Sequence, residues 1–581
     1  MASEEGLTIK DVDLVFIFAF DLGDKVDAKK LGEAFAKHYP LVEVVWHPPK
    51  EPGYTSVAIY IAAKKLGLID GEITVNKLAN DESVIEGIIR FHPLFLGMII
   101  SDRIALDPDY LELGRYTRFK LVELEAEVVE PDKVEADDRE TQERIREMVR
   151  GFRIEPYLLI HNAGIGIVTA WINLKGNFTT DDIITLKDQL DKIKLNVKHT
   201  FGILYAITLR RFVEVAIATP LRAAVLFKDR YGDFERVFEA LGRDEIGTNK
   251  IMEGLKIKST TEHVIVGVRE VKCNDGCFTA VNVVKNHVKE VAGILARNMR
   301  WRDYRIDKAE EDLGRNLSSL ETFAMYLTIG ASLFLGSPKL SKDIEEKAAG
   351  LPLDKDYKDA PFRLRMLILT IPVEFLVLSR KILDVYDSFF RKKREKFQER
   401  KGRGEAVNPS EYMELRSELT EALEEYRNVA FFIVDPPRGI LEYGKERYRL
   451  GEWEGVLRSA LEELAELART HYEESISNTQ LTLAANQLEL AKRQNEMTFV
   501  FGIFGIVSAI EIVATLFGLQ GVIYAVPVAL MIAYLLYRRY MSSSSRKSRT
   551  PQQKSRREQK NTDANSVTQR RELKSEERPQ P

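Results

Sequence analysis

A row of small and polar residues near the C-terminus contains one ionisable group. Its members recur every three or four residues, the spacing of one helix face. This polar row consists of Thr498, Gly502, Gly505, Ser508, Glu511 and Thr515. Small residues in a row permit close helix packing, in which case a protonated Glu511 is hydrogen-bonded between subunits. A carboxylate is costly against lipid, so the ionisable group favours a second interpretation, a water-filled path that attracts cations.

The stretch around Glu511 is long enough to cross a membrane twice. From residue 497 to residue 537, Glu511 is the single charged residue. About forty apolar residues are twice what one helix needs to cross a hydrocarbon layer of about 30 Å. A Gly-Leu-Gln-Gly sequence at 518–521 divides the run. We therefore predict a transmembrane hairpin over 497–540, with helices at 497–517 and 522–537. A buried hairpin in a soluble core is disfavoured, because soluble domains rarely hold so long an uncharged run.

Flanking charge predicts the orientation of this hairpin. Lys492 and Arg493 precede it, and Arg538 and Arg539 follow it. Positive residues stay on the cytoplasmic side, so we expect a multi-pass protein of the cytoplasmic membrane with both termini in the cytoplasm. The N-terminus lacks a basic-then-apolar signal sequence. The lipid bilayer is the first expected partner.

Charge is distributed unevenly along the chain. From residue 538 onward there are thirteen Lys/Arg and five Asp/Glu, a net charge of +8, which leaves −12 on the remainder of a chain with net charge −4. Residues 541–581 are polar and basic, and we expect a disordered tail attracted to anionic lipid. The abundance of Lys, Arg and Glu is typical of a thermophilic prokaryote.

The N-terminal half predicts an α/β or α+β cytosolic region over 1–285, perhaps two subdomains. Apolar or alternating runs indicate strands at 13–20, 41–46, 56–62, 122–128, 209–217 and 263–271. Residues 157–174 form either two strands or one strand bent at glycines. A helix follows an N-cap at Thr179 or Thr180. Residues 286–450 have helical spacing, and we expect a helical domain there. Its apolar runs at 323–335 and 366–378 are too short to span a bilayer and predict core helices.

A stalk helix is predicted over 451–496, directly before the membrane. Leu457, Leu461, Leu464 and Ala468 recur at helical intervals. Further along, the same seam carries small polar residues, which make a poor dry core and suit a face that meets water or symmetry mates. If the helix continues to residue 517 it has about 66 residues and is about 100 Å long.

These features together resemble the CorA-type divalent-cation channels, which have a cytosolic α/β domain, a long stalk helix and two membrane helices. Asn495–Glu496 ends the stalk. Phe517–Gln520 stands where that family has Tyr-Gly-Met-Asn, and Pro527–Val528 opens the second helix. The specific match covers about 50 residues. The resemblance implies a homopentamer that transports Mg²⁺ or a similar divalent cation, with an apolar constriction at Phe501. It places pore-facing residues at Asn495, Thr498, Phe501, Ser508, Glu511 and Gln520.

The chain departs from the family pattern at the turn and inside the first helix. Gly518, Leu519 and Gln520 replace Gly-Met-Asn, so the amide carbonyl that would hold a hydrated ion is on a stem one methylene longer. Glu511 is a charge where the family has a neutral polar group. Mg²⁺ keeps its waters and binds through one or two carboxylates, so Glu511 and Gln520 are the expected transient metal contacts.

Two functions follow as hypotheses. The first is a cation channel gated by its cytosolic domain and lined by Asn495, Thr498, Phe501, Gly505, Ser508, Glu511 and Thr515. The second is a non-conducting, membrane-anchored sensor or effector whose large cytosolic region binds a nucleotide signal or a protein partner. We expect no enzyme activity, because the sequence has no Walker loop, His-Glu-x-x-His or Gly-x-Ser-x-Gly motif. No nucleic-acid partner is expected.

Overall fold

A computed structural model provides the fold. It describes residues 7–48, 93–107, 111, 113–128, 139–149, 151–192, 194–198, 205–243, 245–246, 260–272, 276–348, 360–403, 409–429 and 432–547. The chain divides into two compact units, 1–468 and 469–581. The first unit contains a mixed β-sheet, and long helices dominate the C-terminal part of the chain.

The strands are β1 (Thr8–Asp21), β2 (Val42–Trp46), β3 (Tyr116–Leu121), β4 (Leu124–Val128), β5 (Phe152–His161), β6 (Ile165–Phe178), β7 (Lys194–Lys198), β8 (Tyr205–Thr208), β9 (Thr260–Lys272), β10 (Phe323–Thr328) and β11 (Ala331–Gly336).

The shorter helices are α1 (Ala28–His38), α2 (Pro93–Ala105), α3 (Arg139–Met148), α4 (Thr180–Gln189), α5 (Leu209–Phe212), a π-helix (Val213–Ala218), α6 (Thr219–Tyr231), α7 (Phe234–Gly242), α8 (Ala280–Asn286), α9 (Val288–Ala296), a 3₁₀ turn (Trp301–Asp303), α10 (Ile306–Leu313) and α11 (Pro338–Ala348). The longer C-terminal series is α12 (Ala360–Gly402), α13 (Pro409–Arg427), α14 (Pro437–Arg447) and α15 (Leu450–Lys547).

One eleven-stranded sheet organises the first unit. Its order is β10-β11-β9-β1-β6-β5-β4-β7-β8, and β3 pairs with both β5 and β2. The pairs are antiparallel except β11 with β9. The long central strands β1 and β6 are apolar on both faces, which is why they form the buried middle of the sheet.

Helices cover both faces of the sheet. Successive residues of β1 point to opposite faces, so Phe16 and Phe18 join one core while Val15 and Ile17 join the other. The first core includes α1, α3, α4 and α6–α10. The second includes α2, α12, α13, α14 and the start of α15, where Leu457 and Leu464 are buried as a helical seam requires.

Several predicted elements are confirmed. Strand 13–20 lies within β1, strand 41–46 matches β2, and strand 263–271 lies within β9. In β4, Glu125 and Glu127 are exposed between buried neighbours, as the alternation indicates. Thr179 caps α4 through a reciprocal pair of hydrogen bonds with Asp182. The run 366–378 is a buried part of α12 and contains Pro372. The predicted strand 56–62 lies outside the described residues.

Two predictions of secondary structure are wrong. Residues 209–217 were expected as a strand, but they form α5 and the π-helix, because Val213 and Ile217 with Leu221 bury one helical face. Residues 323–335, in the region predicted to be helical, form the hairpin β10–β11. Its turn contains Gly330 at φ +76°, a conformation that glycine adopts without strain. An apolar run of this length has no periodicity that separates helix from strand.

Helix α15 includes residues 518–521, for which the sequence predicts a non-helical break. The backbone is helical there and remains so to Lys547, which includes residues 541–547 of the predicted tail. Residues 548–581 lie outside the described part. The side chains of 517–522, including that of Gln520, are also outside it.

Candidate membrane-spanning site

The C-terminal part of α15 doubles back on itself. A Cβ atom at Gly502 would lie 3.9 Å from Leu536 Cδ1. A straight helix rises 1.5 Å per residue and would separate these residues by about 50 Å. The helix axis therefore reverses direction between them. Residue 519 lies midway, which is the position of the Gly-Leu-Gln-Gly sequence.

We call residues 497–517 the first leg of this reversal and residues 522–537 the second leg; large residues and one glycine of the first leg pack on alanines of the second. On the first leg Phe499, Gly502, Ile506 and Ile510 are partly buried, and their described neighbours are exposed. On the second leg the least exposed residues are alanines four positions apart, Ala525, Ala529 and Ala533, of which Ala529 is 9% exposed. Small side chains let helices approach closely. We call these seven residues the packing face.

Most of the polar row lies away from the packing face. Gly502 is the exception, since it contacts the second leg. The other members are exposed: Thr498, Gly505, Ser508, Glu511 and Thr515. Since an α-helix turns by about 100° per residue, the mean direction of these five residues around the helix axis is roughly opposite to the packing face. Asn495 is exposed too, and Phe501 is 69% exposed. In a single chain, this side of the first leg therefore remains exposed.

The exposed polar groups differ in what remains available for binding. Thr498 Oγ1 donates to Gln494 O at 2.8 Å, and Thr515 Oγ1 donates to Glu511 O at 2.7 Å. Both hydroxyl protons are thus used within the helix, and the oxygens can still accept or bind a cation. Among the described residues no side chain pairs with the Glu511 carboxylate. The described part also contains no cluster of three or more His, Cys, Asp or Glu side chains placed to hold a metal.

One stretch of the described chain is long and apolar enough to cross a membrane, by length and composition. It is Thr479–Ile512. It begins before the predicted first membrane helix, and four of its charged residues precede Met497. Its longest uncharged part is 497–510, which lies within the first leg.

The first unit contains a buried ionic cluster that the sequence interpretation did not identify. Arg118 of β3 donates to Asp102 of α2 through Nε at 2.6 Å, and through Nη1 to Glu374 of α12 at 2.8 Å. Thr169 donates to the second oxygen of Glu374 at 2.5 Å. Tyr116 donates to Asp102 at 2.9 Å. All five residues are buried, and their polar groups are hydrogen-bonded to one another.

Burial and charge pairing have opposite effects on the pKa values in this cluster. Burial opposes the charge on Arg118, but Asp102 and Glu374 more than offset it and raise the pKa of the guanidinium. Burial raises the pKa of Asp102, against the attraction of Arg118. The signal in the sequence was Glu374, the single charge within the apolar run 366–378. Its partners are distant in sequence, so spacing could not identify them.

A second buried hydrogen-bond chain lies where α15 begins. Tyr448 precedes α15 and is separated from it by Arg449, which has φ +52°. The Tyr448 hydroxyl accepts from Gly330 N at 2.7 Å and is 2.6 Å from His263 Nδ1. His263 Nε2 is 2.6 Å from Ser332 Oγ. Burial, followed by the nearby cations, holds the pKa of His263 well below its usual range, so the imidazole is neutral.

Comparison with protein-family models, with curated proteins and with solved structures finds no match.

Proposed function

We propose that the chain is a CorA-like protein of the cytoplasmic membrane that conducts divalent cations such as Mg²⁺. The two legs of α15 would form a multi-pass hairpin with both termini in the cytoplasm. Several copies, five by the family resemblance, would surround a shared water-filled axis. The first unit would gate this path.

One observation carries the proposal: apart from Gly502, the polar row is exposed on the side of the first leg that the second leg does not cover. Glu511 cannot remain against lipid as a carboxylate without a large cost. Within one chain no described group neutralises it. Other copies of the chain, or water between them, would remove that cost. Exposed Phe501 would meet its counterparts and form the apolar constriction.

The test is Mg²⁺ flux into liposomes that contain the full chain and an internal Mg²⁺ indicator. We expect flux from the unchanged protein, a large loss with Glu511→Ala, and a smaller loss with Gln520→Ala. Met531→Ala is the matched control, because Met531 is 58% exposed and lies on the second leg opposite its packing face. Absence of flux from the unchanged protein would reject conduction.

A second candidate is a membrane-anchored sensor or effector that does not conduct. It is favoured by the replacement of Gly-Met-Asn and by the fact that, among the described residues, one candidate span is found, Thr479–Ile512. A single span places residues 548–581 on the opposite side of the membrane from the first unit, whereas a hairpin places them on the same side. Protease accessibility of the tail in sealed vesicles separates these topologies.

A further inference from the structure

Two arginines of the first unit lie over one tyrosine ring, close to the point where α10 ends. The Cζ atom of Arg315 is 4.7 Å from the centroid of the Tyr443 ring, and that of Arg447 is 5.4 Å from it. Because both distances end at the same centroid, the two Cζ atoms are no more than about 10 Å apart. Arg447 is the last residue of α14. We call Arg315, Tyr443 and Arg447 the double-arginine site.

The two guanidinium groups have no counter-charge within the described part of the chain. No described carboxylate pairs with Arg315 or Arg447, and no described group accepts a hydrogen bond from either side chain. The Nε atom of Arg447 is buried as well as unpartnered. Arg302 differs, because it lies over Trp301 and is paired with Asp181 at 2.6 Å. A buried donor without an acceptor is costly, so the double-arginine site favours a bound anion.

A tyrosine hydroxyl and a glycine lie beside the two arginines. Tyr443 is 9% exposed, and its hydroxyl has no hydrogen-bond partner among the described residues. A Cβ atom at Gly314 would overlap both this hydroxyl and Arg447 Nη2. Gly314 also has φ +67°, a conformation that glycine adopts without strain. The backbone therefore approaches the hydroxyl and the guanidinium group closely, and no side chain at position 314 blocks them.

The alternative is that Arg447 has only a structural role at the C-terminus of α10. The C-terminus of a helix attracts cations, and arginines there donate hydrogen bonds to its last carbonyl groups. Among the described residues, however, no carbonyl oxygen accepts a hydrogen bond from Arg447. Arg315 is exposed, so packing in the core does not account for its position either. Capping of α10 therefore does not explain the pair of arginines.

We propose that Arg315, Arg447 and the Tyr443 hydroxyl bind the phosphate group of a phosphate monoester. A guanidinium group donates parallel hydrogen bonds to phosphate oxygens, and the tyrosine hydroxyl is a further donor. A monoester carries a charge of about −1.5 to −2 at pH 7, which balances two arginines better than the single charge of a diester does. A soluble nucleotide and a lipid with a terminal phosphate share this chemistry. The inference goes beyond the proposed function and requires neither conduction nor assembly.

The test is equilibrium dialysis of radiolabelled inorganic phosphate against the full chain in a phosphate-free detergent. We expect saturable binding with a dissociation constant below about 1 mM. Arg315→Ala and Arg447→Ala should each weaken binding at least about tenfold, and Tyr443→Phe about threefold. Arg230→Ala is the matched control, because Arg230 is exposed and also lies over a tyrosine ring, that of Tyr231, at 5.7 Å. It should leave the dissociation constant unchanged.

Competition with unlabelled compounds identifies the source of the phosphate group. Displacement of the label by AMP but not by a short-chain phosphatidic acid assigns the double-arginine site to a soluble nucleotide. The reverse result assigns it to a lipid headgroup. Glycerophosphoglycerol is a diester with a single charge, and displacement by it as strong as by AMP would contradict selection of a monoester.

Other outcomes overturn the site altogether. Absence of saturable binding, or an equal loss of binding in Arg230→Ala, would show that the two arginines act only as surface charge. If Arg447→Ala does not fold, Arg315→Ala decides, because Arg315 is exposed. Arg447→Lys keeps the charge but removes the planar fork, so undiminished binding by this variant would contradict the proposed contacts. Phosphate binding without Mg²⁺ flux would reject conduction and keep the site.

Discussion

Two glutamates in apolar helical runs have opposite surroundings in this chain. Glu374 is the single charge in residues 366–378, and Glu511 is the single charge in residues 497–537. Glu374 is 2% exposed and is bound by Arg118 and Thr169. Glu511 is exposed, and no described side chain pairs with its carboxylate. A single glutamate in an apolar run therefore has two different outcomes in this chain. Glu374 is paired within the fold, whereas the carboxylate of Glu511 has no described partner in the single chain.

An isolated charge in an apolar run requires a partner, but its position in the sequence does not identify that partner. For Glu374 the partner is in the sheet. For Glu511 we infer that it is a second copy or the water between copies.

Removing the satisfied charge should destabilise the first unit strongly. Glu374→Leu leaves Arg118 buried with one carboxylate partner and Thr169 without its acceptor. We expect a loss of about 3–5 kcal/mol in the free energy of unfolding. Chemical denaturation of the full chain in detergent, followed by tryptophan fluorescence, measures it. Glu511→Leu is the control and should leave this transition unchanged. Equal losses in the two variants would remove the distinction.

Acid should weaken the first unit through its buried histidines. Burial, followed by Arg115, lowers the pKa of His161 to about 3, and burial also lowers the pKa of His263. Both are neutral when folded, and both take up a proton near pH 6.5 when unfolded. Their contribution is therefore complete above pH 6.5 and is lost as the pH falls towards the folded pKa. We expect about 1.4 kcal/mol per pH unit for each histidine.

The pH effect can be assigned by substitution. Denaturation curves between pH 7 and pH 4 should show a shallower loss of stability in His161→Gln than in the unchanged chain. His38→Gln is a control, because His38 is less buried. An identical pH slope in His161→Gln and in the unchanged chain would contradict a neutral, buried His161.

Breaking the hydrogen-bond chain before α15 should have a moderate effect. Tyr448→Phe removes the acceptor of Gly330 N and the partner of His263, at a cost of about 1–3 kcal/mol. The same denaturation measurement tests it, with exposed Tyr472→Phe as the control. If this junction transmits gating, Tyr448→Phe should also alter Mg²⁺ flux. A loss no larger than that of Tyr472→Phe would contradict the described contacts.

The smallest effect is expected within the hairpin. A Cβ at Gly502 would be 3.9 Å from Leu536, an ordinary contact, so Gly502→Ala should be tolerated and should raise helix stability by up to about 1 kcal/mol. Gly502→Trp should separate the legs. Cross-linking between cysteines at 502 and 536 would confirm the reversal directly, and its absence would contradict the antiparallel legs.

Local patterns predicted much of the fold. The alternation of β4, the Thr179 cap and the apolar run in β1 are decided by neighbouring residues, so spacing suffices. Residues 209–217 and 323–335 were wrong because short apolar runs do not separate helix from strand until packing decides. The ionic cluster could not be predicted, because Arg118 and Glu374 meet only through the sheet. The polar row could be identified in the sequence. Which side of the first leg stays exposed could not, because it depends on where the second leg packs.

The central claim is that position 511 faces water within an assembly of copies. A membrane-impermeant maleimide applied to the full chain in liposomes tests it, with the unchanged chain as the blank. We predict that Glu511→Cys is labelled from the aqueous phase, while Met531→Cys, on the outer side of the second leg, is not. Labelling at 531 with none at 511 would show that the carboxylate faces acyl chains, and would contradict the account.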